Sequence, residues 1–210
     1  MIHVANVQAQ SIVVEPDDYA SGTALNHISP FVSLITAAGN NLPHPPVPFD
    51  VRATTSVFPF QPPTGTNVFA HARGVPFWYT DRRLRMDFAG LVSTLSIDFQ
   101  GGTANVQELG TLEVYNSQSV LLGAYVTAPL FGGQIETMSV SHPSADIAYA
   151  IAYALPGQTS FGRLDHLVFS TPVPVPEPAT LGLLALGATG VIGWRCCRGQ
   201  KRKRPGLARA

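Results

Sequence analysis

A run of sixteen uncharged residues, Ala179 to Trp194 (ATLGLLALGATGVIGW), limits what this chain can become more than any other stretch. As a helix it would reach roughly 24 Å at about 1.5 Å per residue, a little short of a bilayer core of about 30 Å. Length alone therefore also fits a buried core helix. The flanks decide. Pro174, Pro176 and Pro178 suit a first helical turn and cannot extend it backward. Trp194 ends the run, where an indole favours the membrane–water interface. Arg195, Arg198, Lys201, Arg202, Lys203 and Arg204 follow at once, a charge density that no globular core holds. Gly182, Gly187, Gly190 and Gly193 would weaken a helix in water, yet glycine is more frequent in membrane helices. The expectation is a single C-terminal transmembrane helix over 179–194 and a basic cytoplasmic tail over 195–210. By the positive-inside rule everything ahead of the helix is exported.

Setting the tail aside leaves about 170 residues, enough for one domain with a core of its own. Six Lys+Arg precede the helix against all thirteen Asp+Glu, an acid excess of seven, and none of the six is lysine. Such a surface repels nucleic acid, whose binding needs a cationic footprint. Both cysteines, Cys196 and Cys197, fall in the tail, so the exported part holds no disulfide despite an oxidising compartment. Export also needs an N-terminal signal. Met1 to Gln10 lacks the basic start and apolar stretch of one, but Val7-Gln8-Ala9 resembles the small-x-small end of a cleavage site. Residues 1–9 are therefore expected to be a signal-peptide remnant, with a mature start at Gln10.

Within the exported part no segment keeps a helical period. Leu91, Leu95, Ile97 and Phe99 recur at period two, and Gly101-Gly102 ends that strand. Gly110–Tyr115 meets Val120–Gly123 across Asn116–Ser119 as a hairpin, and 136–141, 147–154 and 163–170 read as further strands. Ser11–Val14 is a short β-branched run, whereas the stretch from Val57 to Val75 mixes aromatics with Pro and Gly and predicts short strands and long loops. Strands at this spacing, bounded by Gly and Pro, predict an all-β fold: an antiparallel β-sandwich or jelly roll over 10–171. A Pro-rich linker over 172–178 then leads to the transmembrane helix.

The tail resembles the PEP-CTERM sorting signal of exopolysaccharide-producing Gram-negative bacteria. Val175-Pro176-Glu177-Pro178-Ala179-Thr180-Leu181, the Gly-spaced apolar segment and the Arg-rich end stand in the right order at the end of the chain. The resemblance implies recognition through Pro176, Glu177 and Pro178 by an exosortase, a membrane-embedded cysteine transpeptidase-like enzyme, with cleavage nearby. The Cys196-Cys197 pair departs from the family, where arginines are usual. The body resembles that of many such proteins too. Val92–Phe99 is similar to their "VSxxSIDF" strand, Leu112–Tyr115 to "LExY", and Leu164–Phe169 to "LDNLxF", with His166 in place of the usual Asn. That likeness implies a fold and no activity.

Catalytic signals are absent from the sequence. The six histidines show no zinc spacing, and there is no HExxH, no Gly-x-Ser-x-Gly and no phosphate loop. Glu15, Asp17 and Asp18 in the first loop, with Asp165 in the last strand, form a candidate structural Ca²⁺ site if the sandwich brings its ends together, since calcium gathers six to eight oxygens. Otherwise Asp17 and Asp18 are turn formers and Asp165 pairs with a nearby donor. Trp78 and Tyr79, followed by Asp81, Arg82 and Arg83, are candidate saccharide contacts; Trp78 equally suits the sandwich core. The expected protein is not an enzyme. It sits in the inner membrane as a precursor, its exported domain destined for the cell envelope or the extracellular matrix. There it has a structural or adhesive role with exopolysaccharide or biofilm. The rival readings are a secreted carbohydrate-binding module or a polysaccharide hydrolase.

Overall fold

Side chains alternating at period two build eleven strands and no α-helix among the described residues of the computed structural model, which are 9–41, 50–57, 59–71, 74–155 and 160–172. In chain order the strands are β1 (Ala9–Val14), β2 (Val32–Ala37), β3 (Val51–Thr55), β4 (Asn67–His71), β5 (Arg83–Val92) and β6 (Thr94–Gln100). They continue as β7 (Leu109–Tyr115), β8 (Leu121–Val126), β9 (Ile135–Ser141), β10 (Ile147–Leu155) and β11 (Arg163–Pro172). One 3₁₀ turn, Pro16–Asp18, follows β1. The described residues lie in one compact unit, Gln8–Val173. Residues 1–8 of the expected signal remnant (1–9), residues 173–178 of the expected Pro-rich linker (172–178), the transmembrane helix and the basic tail lie outside them. No helix among the described residues is long and apolar enough to cross a membrane.

Two antiparallel sheets result. One runs β3-β4-β11-β6-β9 with β1 also on β11; the other runs β2-β5-β10-β7-β8. Their inner faces share one core. Leu34, Leu84, Met86, Leu112, Val114, Ala150 and Ala152 come from the five-stranded sheet, and Phe69, Leu95, Ile97, Phe99, Met138, Leu164 and Phe169 from the six-stranded one. Leu91 is a correction to the sequence reading. A bend at Ser93 separates β5 from β6, so Leu91 belongs to β5 and is exposed, off the face formed by Leu95, Ile97 and Phe99.

The two sides of the sandwich are finished differently. On one side a single segment fastens both outermost strands. The β3 edge pairs with it through Gly22 N–H to Ala53 O (2.7 Å), Ala53 N–H to Thr23 O (3.0 Å) and Leu25 N–H to Val51 O (2.7 Å). The β2 edge pairs through Leu34 N–H to Asn26 O (3.1 Å), while the Asn26 amide donates to Leu34 O (2.7 Å) and accepts from Val51 N–H (3.2 Å). Asn26 thus stitches one sheet to the other. On the opposite side β8 and β9 are outermost, and the Tyr125 hydroxyl and Ala128 N–H both donate to Glu136 of β9 (2.7 and 3.1 Å).

Candidate functional site

β1 delivers the chain into Glu15-Pro16-Asp17-Asp18, where Pro16 at the first helical position sets the tight turn. The turn aims Asp17 at the Thr64–Asn67 segment, whose N–H groups at Thr66 and Asn67 donate to Asp17 Oδ1 (2.7 and 2.9 Å). Only glycine fits between them: Gly65 has φ +40°, and a Cβ there would lie 2.2 Å from Asp17 Cγ. Asp165 approaches from β11 and is fully buried. Its Oδ2 accepts from Thr64 N–H (3.1 Å) and lies 2.8 Å from Thr64 Oγ1, and its Oδ1 accepts from His166 N–H (3.0 Å). Glu15 closes the group, with Oε1 at 2.8 Å from Thr64 Oγ1 and Oε2 at 2.6 Å from His166 Nδ1.

Thr64 has one hydroxyl proton and faces a carboxylate oxygen on each side, so one of the two contacts needs a proton from elsewhere. Burial supplies the means. It pushes the Asp165 carboxyl up to about 7, against the Thr64 hydrogen bonds that favour its ionised form, with Glu15 adding to the rise. The hydrogen bond to Glu15 raises His166, against its partial burial. A protonated Asp165, the Thr64 hydroxyl, Glu15 and His166 then form a continuous hydrogen-bonded chain that clasps β1, the 64–67 turn and β11 together.

The same arrangement can be read as oxygens around a cation. One carboxylate oxygen each from Glu15, Asp17 and Asp165 lies within 4.8 Å of the others. That span matches the diameter of a calcium shell, twice about 2.3–2.6 Å. Asp17 Oδ2 is buried and has no hydrogen-bond partner. The donor set fits a hard divalent ion in kind, though Thr64, Thr66, Asn67 and His166 already direct N–H or O–H groups at several of its oxygens. Asp18 is a correction: it is exposed and stands outside the cluster, because a 3₁₀ turn rotates successive side chains by about a third of a turn.

Trp78 is also corrected as a saccharide contact. Its indole is fully buried and donates from Nε1 to Phe69 O (2.8 Å), which makes it the core tryptophan. Tyr79 is half-buried with its ring edge-on to His71 at 6.2 Å, so the pair forms no open platform.

Sequence reasoning missed a second polar cluster, on the outer face of the five-stranded sheet. Cross-strand register places Ser33, Asp87, Tyr149 and Tyr115 in one row, and Ile35, Arg85, Ile151 and Glu113 in the next. Tyr115 stacks on Tyr149 at 4.8 Å, while the Arg85 and Arg83 guanidiniums lie 4.1 Å over the rings of Tyr149 and Tyr153. Tyr115 and Tyr153 both donate to Glu113 (2.7 and 3.0 Å). Burial first, and then Glu113, push the Tyr153 phenol up to about 12. The arginines cover the aromatic faces that a sugar ring would use, so the cluster acts as cladding on the sheet. The signal was present as Arg-x-Arg in β5 and Tyr-x-x-x-Tyr in β10, each at the even spacing that shares a strand face.

Fold and site together define an antiparallel two-sheet β-sandwich whose buried acids hold its first loop to its last strand. Residues 174–198, directly after that strand, match the PEP-CTERM protein-sorting motif. The chain carries this sorting motif in its tail, and such a signal implies a secreted, envelope-associated protein. No curated protein matches it in sequence. Among solved structures it is similar to a family 29 carbohydrate binding module from Piromyces equi (TM-score 0.42, 10% identity, 79% of this chain and 92% of that one). It is also similar to the K2 cleaved adhesin domain of Lys-gingipain (TM-score 0.39, 9% identity, 77% of this chain and 100% of that one).

Proposed function

We propose that this protein is a non-catalytic building or adhesive component of the cell envelope or extracellular matrix, held in the inner membrane as a precursor and released or re-anchored by an exosortase-like enzyme. The observation that carries the reading is the sorting motif at 174–198, placed two residues beyond the last strand of the sandwich. Pro176, Glu177 and Pro178 are the residues the enzyme reads. The uncharged run halts the chain in the bilayer, and the Arg/Lys cluster holds the end in the cytoplasm. The polymer it meets outside is exopolysaccharide. Cell fractionation with intact-mass measurement tests this: the envelope or medium fraction should hold a chain lacking the basic tail. Replacing Pro176, Glu177 and Pro178 by alanine should leave uncut precursor in the inner membrane. Uncut chain in the cytosol would overturn the reading. Incubating the purified protein with the producer's exopolysaccharide should release no reducing ends; their appearance would favour a hydrolase.

A second element concerns calcium. The unpartnered, buried Asp17 Oδ2 favours an ion held by Glu15, Asp17 and Asp165, which would tie the first loop to β11. Thermal melts with added Ca²⁺ and with EDTA decide it. Calcium should raise the midpoint by several degrees, since an ion that binds only the folded state stabilises by mass action. Identical melts in the two solutions would leave the proton-linked clasp as the whole account.

A further inference from the structure

Where β2 enters the five-stranded sheet, the turn ahead of it and the facing end of β5 border an open cavity of about 220 Å³. At roughly 30 Å³ each, about seven waters would fill it, so it suits one small ring and not a folded partner. The wall includes His27, Ser29 and Pro30 from the turn, Ser33 from β2, and Asp87 and Ala89 from β5. Two bonds fix the turn against the strands: Phe31 N–H donates to Ser29 Oγ (3.2 Å), and Ala89 N–H donates to Phe31 O (2.9 Å). Register sets Ser33 opposite Asp87 on the outer face, and Ala89 shares that face two residues on.

Three polar side chains in this wall are uncommitted. Arg85 donates from both Nε and Nη2 to Asp87 Oδ1 (2.9 and 2.7 Å), which orients the carboxylate and leaves Oδ2 without a partner among the described residues. The Ser33 hydroxyl and the His27 imidazole likewise hold no hydrogen bond among them. Pro30 and Ala89 are exposed and add C–H surface. A held acceptor, two groups that both donate and accept, and apolar surface between them are the composition of a small-molecule site.

The same groups select the ligand. An anion would meet the free Asp87 oxygen and the acid excess of seven in the exported part. A calcium ion gathers six to eight oxygens and would find a single free carboxylate oxygen here. A neutral pyranose suits every group: one hydroxyl donates to Asp87 Oδ2, others exchange hydrogen bonds with Ser33 and His27, and a C–H face lies against Pro30 and Ala89. We infer that this cavity binds one neutral pyranose residue, a chain end or side branch of a polysaccharide. It is where the exopolysaccharide of the proposed function touches the protein, and it rests on that reading for its polymer. The ring has no need of the tyrosine faces that Arg83 and Arg85 cover. Asp87 is the only acid in the wall, so the paired carboxylates of glycoside hydrolysis are missing and the sugar is held, not cut.

The test uses the purified full chain in a detergent without a sugar headgroup. Methyl glycosides of glucose, galactose, mannose and N-acetylglucosamine are titrated in while the His27 ring proton is followed by NMR. At least one should move that signal with roughly millimolar affinity, as expected for about a dozen heavy atoms in an open site. Ala89→Phe fills the cavity from a side chain already in solvent, and should weaken binding at least about tenfold while keeping the wild-type melting midpoint. Asp87→Asn removes the charged acceptor and should weaken it about as much, which keeps the test open if Ala89→Phe fails to fold. A His27 signal that none of the four glycosides moves overturns the site, as does binding that both variants leave intact. Co-sedimentation with the producer's exopolysaccharide separates the site from the role it rests on. Retention that both variants leave unchanged overturns the site and keeps the exopolysaccharide role. Glycoside binding without retention keeps the site and removes that polymer as its partner.

Discussion

The side of the sandwich closed by residues 22–26 and the side bounded by β8 and β9 solve the same problem in opposite ways. The first covers its open strands with backbone, buries Leu25 and links the two sheets through the Asn26 amide. The second has no covering segment among the described residues, carries side chains that are uncharged apart from Glu136, and joins the sheets through that carboxylate. Covering an edge costs chain length and conformational entropy but yields a surface with nothing left to pair. Leaving it bare keeps a place where another strand can add. The difference lies in backbone coverage and not in apolar exposure, since Phe31 beside β2 and Val57 beyond β3 are exposed as well.

The sharpest way to break the contrast is to make one substitution on each side. Leu25→Ala removes a fully buried side chain and should cost about 3 kcal/mol, lowering the melting midpoint by roughly 10 °C. Leu121→Ala, at a side chain 52% exposed, should stay within about 0.5 kcal/mol. Equal losses in calorimetry would mean that the two sides are packed alike. Next in size is Asn26→Ala, which takes a partner from Leu34 O and Val51 N–H at once and should cost about 2 kcal/mol in denaturant titration. A change below about 0.5 kcal/mol would show that the backbone pairs alone hold that side.

The smallest effect is a slope with pH, and it belongs to the clasp. Folding raises Asp165 from 3.8 to about 7 and raises His166 above 6.5. A folded-state pKa above the unfolded one means that the folded state binds the proton more tightly. The stabilisation is full below the unfolded values and is lost as the pH climbs, between about 4 and 7 for Asp165 and above 6.5 for His166. Glu15, Asp17 and Asp98 are the acids near these groups. Melts in EDTA should therefore fall by a few degrees from pH 5 to pH 8, and Asp165→Asn should flatten most of that fall. A midpoint that rises over the same interval would rule out the shared proton.

How much of this could be read beforehand follows from periodicity. β6 and β9 alternate, β7, β10 and β11 are runs of strand-forming residues between turn signals, and the turn at Asn116 is written in its side chain, whose Oδ1 accepts from Gln118 N–H and Val120 N–H (3.0 and 2.9 Å). β3 went unread because it is only five residues long, and β4 was legible only as one of the short strands expected between Val57 and Val75, since it is buried throughout and shows no alternation. β2 was obscured by Pro30, which precedes it instead of ending it. At the clasp, the acids Glu15, Asp17 and Asp165 were legible as a group of like charges. Their partner Thr64 was not, because a hydroxyl that arbitrates between two acids carries no pattern of its own; the local hint was Thr-Gly-Thr, with Gly65 where no Cβ fits. Trp78 shows the limit of residue type, since the same indole suits a sugar or a core and only burial separates them.

The last strand to leave the ribosome is also the one that touches β1, β4 and β6. Until β11 is in place the larger sheet lacks its middle: the β3-β4 and β6-β9 pairs stay apart and β1 has no neighbour in the sheet. Assembly across such sequence distances is slow. The sorting motif begins two residues past Pro172, so the last residues the fold needs and the first residues of the signal are near neighbours in the chain. A cut upstream of that point would not trim this protein but unravel it.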